Sequence, residues 1–203
     1  MHIEFLLEEP STEAMLTIVL PKILGDNISF KLHPFNGKSS LLKKLPNRLK
    51  AYQEWLPPDQ KLVVLIDEDR EDCRKLKQTL EEIAKTAGLI TWSDSKDKAS
   101  FQILNRLAIE ELEAWFLGDP DALLAAYPRV DKNYPKKEKY RDPDAITGGT
   151  WEALERLLQK AGYYREGLPK IEVAKTVAPH MDPARNQSKS FQIFRDTLQE
   201  IIA

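Results

Sequence analysis

The chain has 203 residues, of which 42% are hydrophobic and 31% charged, and a net charge of −2. That length supports one large domain, or one domain with a helical appendage, with enough apolar residues for a full core. The charge balance excludes a generally basic nucleic-acid binder and confines any such contact to a local patch, and the single cysteine, Cys73, excludes an internal disulfide and points to a reducing, cytoplasmic setting.

The first residues, MHIEFLLEEP, carry acids where an export signal needs a basic region and a longer apolar core, so none is expected. No later stretch approaches the roughly 20 apolar residues of a membrane span. Residues 2–8 read as a first strand, with Ile3, Phe5, Leu6 and Leu7 as its apolar positions. A helix entry follows at Pro10-Ser11-Thr12-Glu13, with Ser11 or Thr12 as cap and acids in the first turn. This helix is expected to run through Met15, Ile18, Val19 and Ile23 and to stop at Gly25. Residues 28–33 alternate apolar and polar and read as a second strand. Residues 38–55 are helical, with an interruption expected near Pro46.

Residues 61–67 form the clearest strand, because Leu62-Val63-Val64-Leu65-Ile66 is a continuous apolar run of the kind that a doubly covered parallel strand requires. Residues 71–87 place Leu76, Leu80, Ile83, Ala84 and Ala87 on one helical face, and Gly88 is the expected stop. A fourth strand is expected over residues 99–107 and a helix over 109–117. Strand and helix thus alternate through the first half, which predicts βαβ units and a mostly parallel α/β sheet over residues 1–119. Residues 127–143 are rich in proline and lysine and read as a long loop. Helical periodicity returns in 151–161, 170–181 and 190–202, so residues 120–203 are expected to form a helical layer packed on the same domain.

Acids close three of the predicted elements: Glu8-Glu9 with Glu13, then Asp67-Glu68-Asp69 with Glu71 and Asp72, then Glu110-Glu111 with Glu113. Parallel strands point their carboxyl ends to one edge, where open α/β sheets bind ligands. Acids far apart in sequence can therefore converge there, and an oxygen-rich site of that kind suits Mg²⁺ or Mn²⁺. Acids at helix starts also complement the helix dipole, and Glu13, Glu71 and Asp72 fit that simpler role; it is the coincidence of three strand ends that favours a site.

Several segments resemble a known family. Leu7–Ser11, Asp67–Asp69, Glu113-Ala114-Trp115 and Ser188-Lys189-Ser190-Phe191 look like the motifs of a family of small prokaryotic Toprim-like proteins of undetermined function, related to the nuclease domains of overcoming-lysogenization-defect proteins. The resemblance covers nearly the whole chain. It implies a Toprim-like sheet, metal ligation by Glu8 or Glu9 with Asp67, Asp69 and Glu113, and assistance from Glu13 as ligand or base. Pro10 or Glu9 stands where the family has a glycine after its first glutamate, so the register of that glutamate is open between Glu8 and Glu9. No tyrosine nucleophile is identifiable.

The favoured expectation is a Mg²⁺- or Mn²⁺-dependent nuclease acting on DNA or RNA, with Lys189 or Arg185 neutralising the scissile phosphate. The resemblance adds an ATPase partner and phage defence. The alternatives are a metal-dependent phosphohydrolase and a non-catalytic subunit that binds nucleic acid or a partner. Other features point less far. His2, His33 and His180 show no metal spacing. Cys73 has no partnered histidine and reads as inert. Asn36-Gly37-Lys38-Ser39-Ser40 lacks the upstream glycine of a phosphate loop and reads as a turn and helix cap. Trp115 reads as core. Of the basic clusters, Lys43, Lys44, Arg48 and Lys50 read as a solvated face, whereas Arg185, Asn186, Ser188, Lys189 and Ser190 precede a helix and are better placed to meet an anion.

Overall fold

A computed structural model describes residues 1–96, 98 and 100–203. Four parallel strands form one sheet in the order β2-β1-β3-β4: β1 (His2–Leu7), β2 (Ser29–Pro34), β3 (Gln60–Asp67) and β4 (Ile103–Ala108). Every residue of β3 is buried, as its uninterrupted apolar run requires. Between the strands lie α1 (Pro10–Leu24), α2 (Lys38–Trp55) and α3 (Cys73–Thr86). The remaining helices follow β4: α4 (Glu113–Leu117), α5 (Pro120–Ala126), α6 (Thr150–Lys160), α7 (Lys170–Val177) and α8 (Lys189–Ile202).

Strand alternation assigns the two faces. Ile3, Phe5, Leu7, Val63 and Leu65 face α1 and the C-terminal helices, in a core that also holds Trp115, Phe191, Phe194 and Leu198. Leu6, Leu62, Val64 and Ile66 face α2 and α3, packed on Leu41, Leu45, Leu49, Leu76 and Leu80. The chain leaves β1 toward β2 along one face and returns to β3 along the other, so the strand order reverses between β1 and β3. A reversal of this kind is where open α/β sheets form their ligand crevice, outside the carboxyl ends of the two strands.

Local chemistry explains most helix ends and corrects several expectations. Neither Ser11 nor Thr12 caps α1; Glu9 holds the cap position in extended conformation and Pro10 opens the helix, where its fixed φ and missing N–H cost nothing. Pro46 does not interrupt α2, because burial of Leu41, Leu45, Leu49 and Tyr52 carries the helix through it. The helix expected over 109–117 shrinks to Glu113–Leu117, since Glu110 adopts φ 59 and breaks it. The fourth strand begins at Ile103, and Ala99, the expected start, lies outside the described residues. The expected loop over 127–143 contains short 3-10 turns at Tyr134–Lys136, Glu138–Tyr140 and Pro143–Ala145, the first two burying Tyr134 and Tyr140. Helix α5 was not anticipated, although its Asp119-Pro120 start carries a cap and a first-turn proline. Among the described residues no helix is long and apolar enough to cross a membrane.

The Ser188–Phe191 segment ties the helical layer together. Ser188 Oγ donates to Asp144 at 2.7 Å and the Ser190 backbone N–H to the same carboxylate at 2.8 Å, while Trp115 Nε1 donates to Ser190 Oγ at 2.8 Å. The Trp115 ring lies 5.1 Å from both Phe191 and Phe194. Gly118 permits this approach, because a Cβ there would stand 2.9 Å from the Ser188 backbone nitrogen.

Asp119 is the second tie. It is fully buried and accepts from the backbone N–H of Ala122 (3.2 Å) and Asp182 (2.8 Å), and from Arg185 through both oxygens (2.8 and 3.0 Å). Replacing Asp119 with Ala strands these donors and is expected to lower stability by about 3 kcal/mol in urea unfolding. Arg185→Ala, at the partly exposed end of the pair, is expected to cost clearly less. Negligible losses in both would show that the tie is not structural.

Candidate active site

Four carboxylates meet at the β1/β3 crevice. Glu8 and Glu9 follow β1 directly, Asp67 is the last residue of β3, and Glu113 opens α4. Asp67 and Glu113 are 5% and 1% exposed. Burial pushes the Asp67 carboxyl well above the usual range, and the charges of Glu8, Glu113 and Glu9 push it further. Burial likewise raises Glu113 from 4.5 to about 7, with Glu111 and Glu9 adding to it and Lys170 opposing. Glu113 Oε2 is buried and has no hydrogen-bond partner among the described residues.

Glu8 has a structural task. Its Oε2 accepts from the Asp67 backbone N–H at 3.0 Å and its Oε1 from that of Lys38 at 3.1 Å, so one carboxylate joins the end of β1 to the end of β3 and the start of α2. Burial raises it to about 7 even so. Glu9 accepts from Ser11 Oγ at 2.5 Å and pairs with Lys170 Nζ at 3.3 Å.

Lys170 is the central cation, and sequence reasoning missed it. It sits at the start of α7, 161 positions from Glu9. Burial works to lower its pKa, but the charges of Glu113, Glu9 and Asp67 hold it above its ordinary value. The one available signal was its place at a predicted helix start. With Glu9 it helps line a cavity of about 630 Å³ between the starts of α1 and α7.

The remaining expected residues fall elsewhere. Asp69 adopts φ 55 and turns toward Lys38, whose Nζ lies 2.6 Å from Asp69 and 3.1 Å from Glu71. Lys38, read from the sequence chiefly as part of a turn and helix cap, reaches the rim of the site. Glu13 lies one turn along α1, partly exposed. Lys189 is exposed and lines a different depression with Lys77, Asn105 and Arg106. Arg185 is engaged by Asp119, and Glu111 accepts from Thr150 and Trp151 at the start of α6. Among the described residues no group of three or more His, Cys, Asp or Glu side chains is arranged to hold a metal ion as the side chains stand.

The raised carboxyls set the sign of the pH response. Glu8 and Glu113 keep their protons to about pH 7 when folded but lose them near 4.5 when unfolded. In that window the folded state binds more protons, so stability is full below about 4.5, falls as pH rises to about 7, and levels off above it. Glu113→Gln is expected to flatten this fall and to be more stable than wild type at pH 8 by about 1–3 kcal/mol in denaturant unfolding. A variant less stable at pH 8 with an unchanged slope would refute the assignment.

Comparison of the chain with curated proteins and with solved structures gives no match. A family model described as Domain of unknown function (DUF4276) matches residues 7–199, which include all four carboxylates and Lys170. The chain belongs to that family.

Proposed function

We propose that the carboxylate edge is a metal-dependent site for hydrolysis of phosphodiester bonds in nucleic acid. One observation carries this reading: Asp67, Glu9 and Glu113 come from separate elements into electrostatic contact, and two of them are buried. Buried like charges are costly unless a cation answers them, and groups perturbed in this way concentrate at functional sites. The likeness of Leu7–Ser11, Asp67–Asp69 and Glu113-Ala114-Trp115 to Toprim motifs points the same way, and it brings with it the expectation of an ATPase partner in phage defence.

The donor set fits Mg²⁺ or Mn²⁺ in kind: carboxylate oxygens are the ligands these ions prefer, and among the described residues Glu113 Oε2 has no hydrogen-bond partner. Asp67, Glu9 and Glu113 would hold the ion, which supplies charge neutralisation on a phosphate and a more acidic water. The chain's own groups account for the rest. Glu8 fixes the strand ends through two backbone N–H groups. Lys170 and Lys38 stand at the same edge as point charges for phosphate oxygens. Glu13 assists from the next turn of α1. Of the lysines, Lys170 takes the part first expected of Lys189, because it is the one that touches these carboxylates.

A second reading is a non-catalytic subunit on the same scaffold, in which Lys170 permanently answers the buried acids. It is favoured by the missing three-ligand group among the described residues.

Cleavage of plasmid, single-stranded DNA and tRNA in Mn²⁺ tests the proposal. Wild type is expected to cut at least one of them, and Asp67→Ala to lose about 100-fold or more. Equal activity in both proteins, or none even with an ATPase partner present, would count against the nuclease. Turnover confined to phosphomonoesters would point to a phosphohydrolase. The absence of any Mn²⁺-dependent thermal shift would favour the binding subunit.

A further inference from the structure

Edge strand β2 and one side of α2 form a surface that the carboxylate site does not use. Positions 44, 48, 52 and 55 follow the helical repeat, so Lys44, Arg48, Tyr52 and Trp55 lie in a stripe along α2. Facing them are Lys31, His33 and Phe35, at alternate positions along and just beyond β2. Cations and rings alternate along the seam. Lys44 Nζ lies 5.9 Å from the Phe35 centroid, the Arg48 guanidinium 5.3 Å from that of Tyr52, and the Tyr52 ring 5.2 Å from Trp55 at an angle of 41°. Trp55 is 58% exposed, the most of any large hydrophobic residue described. A depression of about 290 Å³ opens between Lys31, His33, Arg48, Tyr52 and Trp55.

The charge on this surface is free to act outward. The acid lining the depression, Glu4, is taken up internally: it pairs with His33 and with His2 (3.2 Å) and accepts from Gln60 (3.1 Å) and Tyr52 (3.3 Å). Among the described residues Lys31, Lys44 and Arg48, all exposed, have no carboxylate partner.

The seam also leads somewhere. Past the end of β2 the Phe35 N–H bonds to Leu7 O (2.8 Å), Gly37 N–H to Glu8 O (2.9 Å) and Lys38 N–H to the Glu8 carboxylate (3.1 Å). The path from Trp55 therefore ends at the carboxylate edge, after the roughly 20 Å that a strand of this length covers. We infer that this seam is a binding track for a short single-stranded segment of nucleic acid, with a base stacked on Trp55, phosphates on Lys31, Arg48 and Lys44, and the strand led past Lys38 to the carboxylates. Its destination rests on the reading proposed above; its existence does not. An exposed ring beside spaced cations suits unpaired bases, whose faces a duplex hides.

The test is fluorescence polarisation of labelled dT and rU 12-mers in EDTA, where no cleavage intervenes, with duplex as competitor. Wild type is expected to bind both oligomers and to prefer them to duplex. Trp55→Ala should weaken binding about tenfold while Trp55→Phe largely retains it. Lys44→Ala with Arg48→Ala should make the salt dependence shallower, by roughly 1.4 in the log–log slope. These side chains are exposed or at the surface, so the variants are expected to melt with wild type. Unchanged binding in the Trp55 and Lys44/Arg48 variants overturns the track, as does a preference for duplex. So does a Trp55→Ala effect confined to self-association, which would instead mark β2 as an edge that pairs with another chain. Absence of cleavage by wild type in Mn²⁺, with this binding pattern intact, would sink the nuclease and leave the track standing.

Discussion

Asp67 and Glu113 are buried beside Glu8 and Glu9 where water screens little, and the ammonium of Lys170 is the charge that answers them. The topology creates this arrangement. Parallel strands bring their carboxyl ends to one edge, and the reversal of order between β1 and β3 leaves a gap there for side chains. The C-terminal helices are consequently more than a cover for the sheet. Helix α7 delivers Lys170, and the core that positions it runs unbroken from Ile3 and Phe5 to Phe194 and Leu198.

Hydrogen-bond partners set two groups of acids apart. Glu8, Glu111, Asp119 and Asp144 each receive backbone N–H groups from a neighbouring element and serve as long-range caps or staples. Asp67 and Glu113 have burial, like charge and, for one Glu113 oxygen, no hydrogen-bond partner among the described residues. The first group holds elements in place. The second is answered by Lys170 only in part, since Glu113 stays raised beside it, and that leaves a demand that a further cation can meet.

Segregation of charge also reconciles a net charge of −2 with a nucleic-acid reading. Acids are gathered at the crevice, while Lys31, Lys44 and Arg48 stand along the outer edge beside Phe35, Tyr52 and Trp55. A polyanion meets the local field of such an edge rather than the average of the molecule.

The apolar run of β3, the alternation of strand and helix, and the acids after Leu7 and Ile66 were sufficient to read a parallel α/β sheet with carboxylates at its edge, because strand burial and helix periodicity are properties of neighbouring residues. The helix over residues 38–55 read clearly, but its passage through Pro46 did not, since only packing against β3 decides that. Ser188-Lys189-Ser190-Phe191 was legible as a motif, yet its partners, Asp144 and Trp115, could be found only in three dimensions. The same holds for Lys170: its own stretch marks it only as a helix start, and its position among Glu9, Asp67 and Glu113 follows from the docking of α7 on α1. Local sequence determined which segments became strands and helices and which strand ends carried acids; the tertiary structure decided which of those acids were satisfied and which cation faced the rest, because contacts across more than a hundred residues depend on how faces pack and leave no local pattern.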